Sequence, residues 1–171
     1  EQHRFPILKP GDYPAAYLEE IKHARFPPEM YIDPIRYEFH QPPLYYLLAV
    51  AVYRVSGGAL LPLRLLTVAI GAALLLVVYW TAQEAAPRRP GLALAAAAFA
   101  GLLPMHLAQS AAAGNDLLAE LLLATIVLLA IRYMKMPAAG ADDRSTRQAV
   151  VLGVATGLAF VTKSGIYVAL P

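Results

Sequence analysis

A few ionisable side chains near the apolar segments of this chain could transfer protons or bind an anion. Asp12 could act as a general base that removes a proton from a hydroxyl or an amine. His40, Asp116 and Lys163 each adjoin a different apolar segment. Because ionisable groups are costly beside a membrane interior, such positions are candidate functional sites.

Asp12 also has a structural interpretation. It follows a Pro-Gly pair and precedes a short helical pattern in which Tyr17, Leu18 and Ile21 share one face. An Asp placed there is typical of a helix N-cap. We therefore predict a short amphipathic helix with Glu19 and Glu20 on its solvated face, and Asp12 as its cap, as a base, or as both.

Residues 38–46 combine ionisable, proline and aromatic side chains where a polar region gives way to apolar sequence. His40 could bind a divalent metal ion, hydrogen-bond a phosphate, or lie at the membrane surface. Glu38 could share a metal site with His40 if the backbone between them is extended. Arg36 could contact a phosphate or pair with Asp33. The prolines at positions 42 and 43 predict an extended approach to the following apolar segment.

Asn115 and Asp116 stand at the start of another apolar segment. They could cap a helix, since an Asn side chain and a negative charge both suit a helix N-terminus. Alternatively, Asp116 could face a polar cavity with Glu120 on the same helix face. His106 and Gln109 could reach that cavity or hydrogen-bond a neighbouring helix.

Lys163 ends the last long apolar segment. Its ammonium could extend to the membrane surface, which is the usual behaviour of a lysine at the end of a span. It could instead meet a phosphate or offset the charge of Asp116.

The elements that must position these residues are membrane helices. Of the 171 residues, 58% are hydrophobic, which is more than an ordinary soluble domain contains. Residues 65–83 are uncharged and long enough to cross a bilayer, and residues 90–115 are uncharged with Pro104 predicted to kink or end a helix. Residues 117–131 and 148–162 form two more segments, and Gly153 and Gly157 would allow close helix contact in the last.

The distribution of basic residues predicts an orientation. Two predicted loops on the same side of the membrane hold Arg88, Arg89, Arg132, Lys135, Arg144 and Arg147. The positive-inside rule makes that side cytoplasmic, which places His40, Asp116 and Lys163 at the outer face. The apolar segment 44–55 is too short for a span and is predicted to be an interfacial or re-entrant helix.

We therefore predict an all-α fold: a polytopic membrane helix bundle with an extracytoplasmic loop that carries short juxtamembrane helices. The loop is expected at residues 1–61 and the bundle at residues 62–171. Spans are expected at about 62–83, 91–110, 116–134 and 148–163, with another beginning at 164. The bundle is expected to be incomplete at both ends.

Composition narrows the function classes. A net charge of +2 with dispersed basic residues argues against a nucleic-acid partner, and the lack of cysteine excludes a disulfide framework or a thiolate metal site. A transporter or channel would place ionisable groups at mid-span on several helices, whereas only His106 and Glu120 lie deeper here. A non-catalytic membrane assembly protein, whose function would not depend on Asp12, stays an alternative.

Residues 38–46 read acidic-x-His-Gln-Pro-Pro-Leu-Tyr-Tyr and resemble the signature that ends the first extracytoplasmic loop of polytopic GT-C glycosyltransferases. The chain is most similar to the bacterial branch related to protein O-mannosyltransferases and to the lipid A aminoarabinose transferase. The segment at 11–21, the Asn115-Asp116 pair and the segment at 157–163 match in order and spacing.

The resemblance implies an enzyme that moves a hexose or pentose from a polyprenyl-phosphate carrier to an acceptor lipid, glycan or protein. The reaction would take place at the outer face of a multi-pass cell-membrane protein. Asp12 would be the catalytic base, although Tyr13 stands where relatives carry a second acidic residue. A transmembrane helix should precede Glu1 and others should follow Pro171, so the chain alone is not expected to be active.

The candidate substrate-binding residues share a position near the outer face: Arg36, Glu38, His40, Gln41, Tyr45, Asp116 and Lys163. Arg36, His40 or Lys163 would stabilise the departing carrier phosphate, alone or with a divalent metal ion that His40 would bind. A ligase or polymerase of lipid-linked sugars would use closely similar chemistry.

Overall fold

A computed structural model describes residues 14–25, 27, 29–31, 41–136 and 143–166. Every regular element in these ranges is a helix, which confirms the all-α prediction. The helices are α1 (Ala15–His23), α2 (Leu44–Val55), α3 (Leu60–Ala85), α4 (Pro90–Leu102), α5 (Pro104–Ala111), α6 (Asp116–Met134) and α7 (Asp143–Phe160). The chain divides into two compact units, Glu1–His40 and Gln41–Pro171.

In the first unit, α1 has the predicted amphipathic pattern. Ile21 is buried, whereas Glu19 and Glu20 are exposed. Pro14 occupies the N-cap position and makes no side-chain capping bond, so the interpretation of Asp12 as the N-cap residue is wrong. The reason is that proline suits the start of a helix, because the missing N–H needs no partner there. Asp12 itself lies outside the described residues.

The second unit begins with the two prolines before α2. Pro43 already has helical torsions (φ −86°, ψ −8°), and its carbonyl accepts a hydrogen bond from the Leu47 N–H at 2.9 Å. The predicted extended approach is therefore wrong at Pro43, where the fixed φ of proline fits the first helical turn. α2 is a short apolar helix of 12 residues, and its interfacial or re-entrant placement stays a prediction.

Among the helices that the structure describes, α3 and α6 are each long and apolar enough to cross a membrane. They run in the same direction, because Leu117 at the start of α6 packs with Leu74 in the middle of α3, and their ends meet further along. There Glu84, near the end of α3, accepts a hydrogen bond from Arg132, near the end of α6, at 2.8 Å. Lys135 Nζ also donates to the backbone carbonyl of Glu84. These contacts join the C-terminal ends of the two helices.

α4 and α5 return the chain between α3 and α6, with a bend of 61° between them. Leu103 at the bend is extended (φ −62°, ψ 126°) because the ring of Pro104 disfavours a helical conformation in the preceding residue. The predicted break at Pro104 is thus confirmed. The bent pair makes a third span if it crosses the membrane as one element.

Gly71 lets α5 and α6 approach α3 closely. A Cβ at this position would lie 2.8 Å from Ser110 Oγ, 3.2 Å from Leu117 Cδ1 and 3.5 Å from His106 Cε1. The start of α6 therefore lies beside the middle of α3.

α7 packs along α6, where Ala155 and Ala159 are buried in a cluster with Ala119 and Ile126. A Cβ at Gly153 or Gly157 would have no neighbour within 4 Å, so the predicted close contact at these glycines is wrong. The alanines pack instead because they lie on the face that α6 covers.

Among the described helices, α7 is not one of those apolar enough to cross a membrane, since Asp143, Arg144 and Arg147 lie in its first turns. The span at 148–163 stays a prediction.

Candidate functional site

The candidate site is built around the turn that follows α7. A helix ends with carbonyl groups that have no partner in the helix and must find one elsewhere. The carbonyl of Val161 accepts a hydrogen bond from the Leu44 N–H at 2.9 Å, and the carbonyl of Thr162 accepts one from Asn115 Nδ2 at 3.4 Å. The first turns of α2 and α6 thus hold the end of α7.

Gln41 holds the same turn from another side. Its Oε1 accepts hydrogen bonds from the backbone N–H and from the Oγ of Ser164, both at 3.3 Å. The structure therefore brings Gln41 to Ser164, the neighbour of Lys163, across 123 residues of sequence.

Lys163, in the middle of the turn, pairs with Asp116 at the start of α6. Its Nζ donates to Asp116 Oδ1, and 33% of the lysine side chain and 40% of the aspartate side chain are exposed. This confirms that Lys163 offsets the charge of Asp116. A pair with this much exposure is held only weakly, because solvent screens it, so its ammonium can exchange partners.

We refer to these interacting residues as the Lys163 cluster: Gln41, Asn115, Asp116, Thr162, Lys163 and Ser164. Asn115 and Thr162 are almost fully buried, whereas Gln41, Asp116, Lys163 and Ser164 are partly exposed. The buried members form the base of the cluster, and the charged members lie at its surface.

The Lys163 cluster lies at the opposite end of α6 from the Glu84–Arg132 pair. The basic residues Arg88, Arg89, Arg132 and Lys135 are all at or near that other end, as the loop assignment predicts. The two ends of the bundle therefore differ in chemistry. One end is basic at its surface, and the other presents an ammonium paired with a carboxylate.

Tyr45 lies in the core below the cluster. Only 3% of the residue is exposed, and its hydroxyl shares a hydrogen bond of 3.3 Å with Thr67 Oγ1. It packs with Ile70, Leu74 and Leu117. The side chain fixes the start of α2 against α3, next to the Leu44 N–H that holds Val161.

Four further candidates, Asp12, Arg36, Glu38 and His40, lie outside the described residues. In the part of the chain that the structure describes, no three His, Asp or Glu side chains are grouped as metal ligands. The predicted metal role of His40 stays a prediction.

The residues around Asp116 differ in part from expectation. Asn115 occupies the N-cap position of α6 but makes no side-chain capping bond, so the capping interpretation is wrong for its side chain, which bonds Thr162 instead. Glu120 is exposed, whereas His106 is buried against α3. The role of Ser164 as the partner of Gln41 was not predicted, and no local sequence pattern signals it.

Comparison with known proteins gives one finding. A family model described as dolichyl-phosphate-mannose-protein mannosyltransferase matches residues 40–171, which is most of the chain and the whole of its second unit. No curated protein matches the chain, and no solved structure matches it.

Proposed function

The chain belongs to the dolichyl-phosphate-mannose-protein mannosyltransferase family of GT-C membrane glycosyltransferases. On this premise we propose its sugar donor, the membrane face at which transfer takes place, and the residues that bind the donor. The donor is a sugar linked to a polyprenyl phosphate, and transfer takes place at the extracytoplasmic face. The observation that carries the proposal is the partly exposed Lys163–Asp116 pair at the end of the bundle away from the basic loops.

Lys163 binds the phosphate of the lipid carrier. A lysine ammonium is a compact charge suited to a phosphate oxygen. Asp116 pairs with this ammonium before the donor arrives, and the partial exposure of the pair allows the phosphate to replace Asp116. The positive-inside rule supports an extracytoplasmic position, because the basic loops lie at the opposite end.

The reaction is a single displacement at the anomeric carbon of the sugar. A hydroxyl or amine of the acceptor forms a bond to that carbon, and the bond from the carbon to the phosphate oxygen breaks. The electron pair leaves on the polyprenyl phosphate, where Lys163 stabilises it. The proton of the acceptor goes to a base, for which Asp12 is the candidate from the sequence resemblance.

The remaining candidate residues have different degrees of support. Glu38 and His40 are supported as donor-site residues by the resemblance of residues 38–46 alone, and Arg36 is supported by its positive charge just before that segment. Burial of Tyr45 supports an indirect role, in which it fixes α2 rather than contacts the sugar. The acceptor is a lipid, a glycan or a protein.

The proposal is tested with a photoreactive polyprenyl phosphate and the intact protein in membranes. We expect saturable capture that unlabelled polyprenyl phosphate competes and that polyprenol, which lacks the phosphate, does not. Lys163→Gln should lower capture by about tenfold or more, since a hydrogen bond to a charged group is lost, and Lys163→Arg should retain most of it. Lys135→Gln is the matched control at the other end of the bundle and should leave capture unchanged.

Equal capture by wild type and Lys163→Gln would contradict the proposed phosphate site. Equal competition by polyprenol and polyprenyl phosphate would show that the phosphate is not recognised, and would contradict the proposed donor.

A further inference from the structure

We infer that Gln41 and Asn115 are positioning residues that hold the turn at 161–164 so that the Lys163 ammonium stays on Asp116 and within reach of the donor phosphate. The role in donor binding rests on the proposed function. The positioning of Lys163 itself rests only on the contacts in the structure.

The first argument is that the turn is held on both sides of Lys163. Asn115 Nδ2 donates to the carbonyl of Thr162, the residue before it, at 3.4 Å. Gln41 Oε1 accepts from the N–H and the Oγ of Ser164, the residue after it, at 3.3 Å. Two side-chain amides from distant parts of the chain therefore fix the two neighbours of one lysine.

The second argument concerns the backbone bonds of Lys163 itself. The Lys163 N–H donates to the carbonyl of Ala159 at 3.4 Å, and its carbonyl accepts from the Ile166 N–H at 3.2 Å. Both are local bonds that fix the shape of the turn but not its location relative to Asp116. The bonds that Gln41, Asn115 and Leu44 make to the turn tie it to the starts of α2 and α6.

The third argument distinguishes positioning from substrate contact. Asn115 is 4% exposed and Thr162 is 0% exposed, so their bond lies below the surface that a substrate can reach. The orientation of the Gln41 amide follows from its partner. The backbone N–H of Ser164 is a donor, and the acceptor atom of a glutamine amide is Oε1. Both of its observed bonds go to Ser164.

The consequence is a link between the segment that leads into α2 and the phosphate-binding lysine. Gln41 directly precedes the two prolines, whose stiff backbone limits the motion of its side chain relative to α2. A small displacement of a group that stabilises a transition state can cost much activity. Loss of Gln41 should therefore act through Lys163.

The test measures the reactivity of the Lys163 amine in the intact protein. Lysines are labelled with a limiting amount of an amine-reactive reagent, and the labelling of Lys163 is compared with that of Lys135 by peptide mass spectrometry. Asp116→Asn shows how Lys163 labelling changes when the ion pair is lost, and we expect this labelling to rise by up to about fivefold. Gln41→Ala and Asn115→Ala should each raise Lys163 labelling in the same direction without changing Lys135.

Two milder variants make the test specific. Gln41→Glu keeps an acceptor oxygen for Ser164 and should leave Lys163 labelling close to wild type. Ser164→Ala removes the Oγ donor but keeps the backbone N–H, so it should raise labelling less than Gln41→Ala. If Gln41→Ala does not fold, Ser164→Ala still tests whether the contact between Gln41 and Ser164 positions Lys163.

Unchanged Lys163 labelling in Gln41→Ala and Ser164→Ala, while Asp116→Asn raises it, would overturn the positioning role. Failure of the proposed function gives a different result: Lys163 labelling responds to Gln41→Ala as expected, but capture of the photoreactive polyprenyl phosphate does not change. A merely structural role of Gln41 would lower the unfolding temperature and leave Lys163 labelling of the folded protein unaltered.

Discussion

Lys163 Nζ donates to Asp116 Oδ1, which joins the end of α7 to the start of α6 across 47 residues of sequence. The pair lies at the end of the bundle where Gln41 meets Ser164. Its partial exposure distinguishes it from the buried Asn115–Thr162 contact beneath it. The ion pair therefore lies where a bound anion can reach it.

Asp116→Asn should strengthen binding of polyprenyl phosphate. The carboxylate competes with the phosphate for the Lys163 ammonium and repels it, so its removal should raise photocapture severalfold. Glu120→Gln is the matched control, because Glu120 is an exposed acid one turn later on α6. Lower capture in Asp116→Asn, with wild-type stability, would show that Asp116 contributes to donor binding in another way.

The orientation of the bundle can be measured with single cysteines, since the chain has none of its own. Ala113 is exposed near the Lys163 cluster, and Arg88 is exposed at the basic end. An impermeant thiol reagent added to whole cells should label Ala113→Cys but not Arg88→Cys. The reverse pattern would place the cluster at the cytoplasmic face and would contradict the proposed outer site.

Gly71→Ala should destabilise the bundle, because the new Cβ would lie 2.8 Å from Ser110 Oγ and 3.2 Å from Leu117 Cδ1. We expect a loss of about 1–3 kcal/mol in the free energy of unfolding, the usual cost of overpacking a well-packed contact. Thermal unfolding in detergent measures this change. Ser110→Ala in the same chain should recover part of it by removing the nearer atom.

Gly157→Ala provides the control for Gly71→Ala. It also lies within a helix, but no atom lies within 4 Å of its Cβ position. It should leave stability unchanged or raise it by up to about 1 kcal/mol, since alanine favours a helix more than glycine does. Equal destabilisation by both variants would show that close approach at Gly71 is not the cause.

The Glu19–Lys22 pair on α1 predicts that the pKa of Glu19 depends on Lys22. A hydrogen bond from Lys22 to Glu19, at 2.8 Å, lowers the pKa of Glu19 below its ordinary value, and the positive charge of Lys22 acts in the same direction. The ionised pair therefore stabilises α1 above the ordinary pKa of a glutamate, and this contribution is lost as the pH falls through the lowered pKa. Lys22→Gln should raise the pKa of Glu19, measured by NMR of its carboxyl carbon.

Arg25→Gln is the control for this titration, because Arg25 is not a cause of the shift. It should leave the Glu19 midpoint in place. An unchanged midpoint in Lys22→Gln would contradict the assigned cause.

Local signals in the sequence predict the helices and the break at Pro104, because length, hydropathy and the conformational limits of proline act over a few residues. They do not predict the bond between Gln41 and Ser164, which depends on how α2 and α7 pack. For the same reason, the side chain of Asn115 matches the N-cap residue type yet bonds Thr162. The pairing of Lys163 with Asp116 could be considered from the sequence, because the predicted topology places both residues at the same end of the helix bundle.

The most direct test is to map where the photoreactive polyprenyl phosphate attaches, by peptide mass spectrometry of the captured intact protein. We predict labels on the peptides that contain Gln41, Asp116 and Lys163, and their loss in Lys163→Gln. Labels confined to the peptides with Arg88, Arg89 and Arg132 would place the lipid phosphate at the other end of the bundle. That result would contradict the assignment of the Lys163 cluster as the donor site.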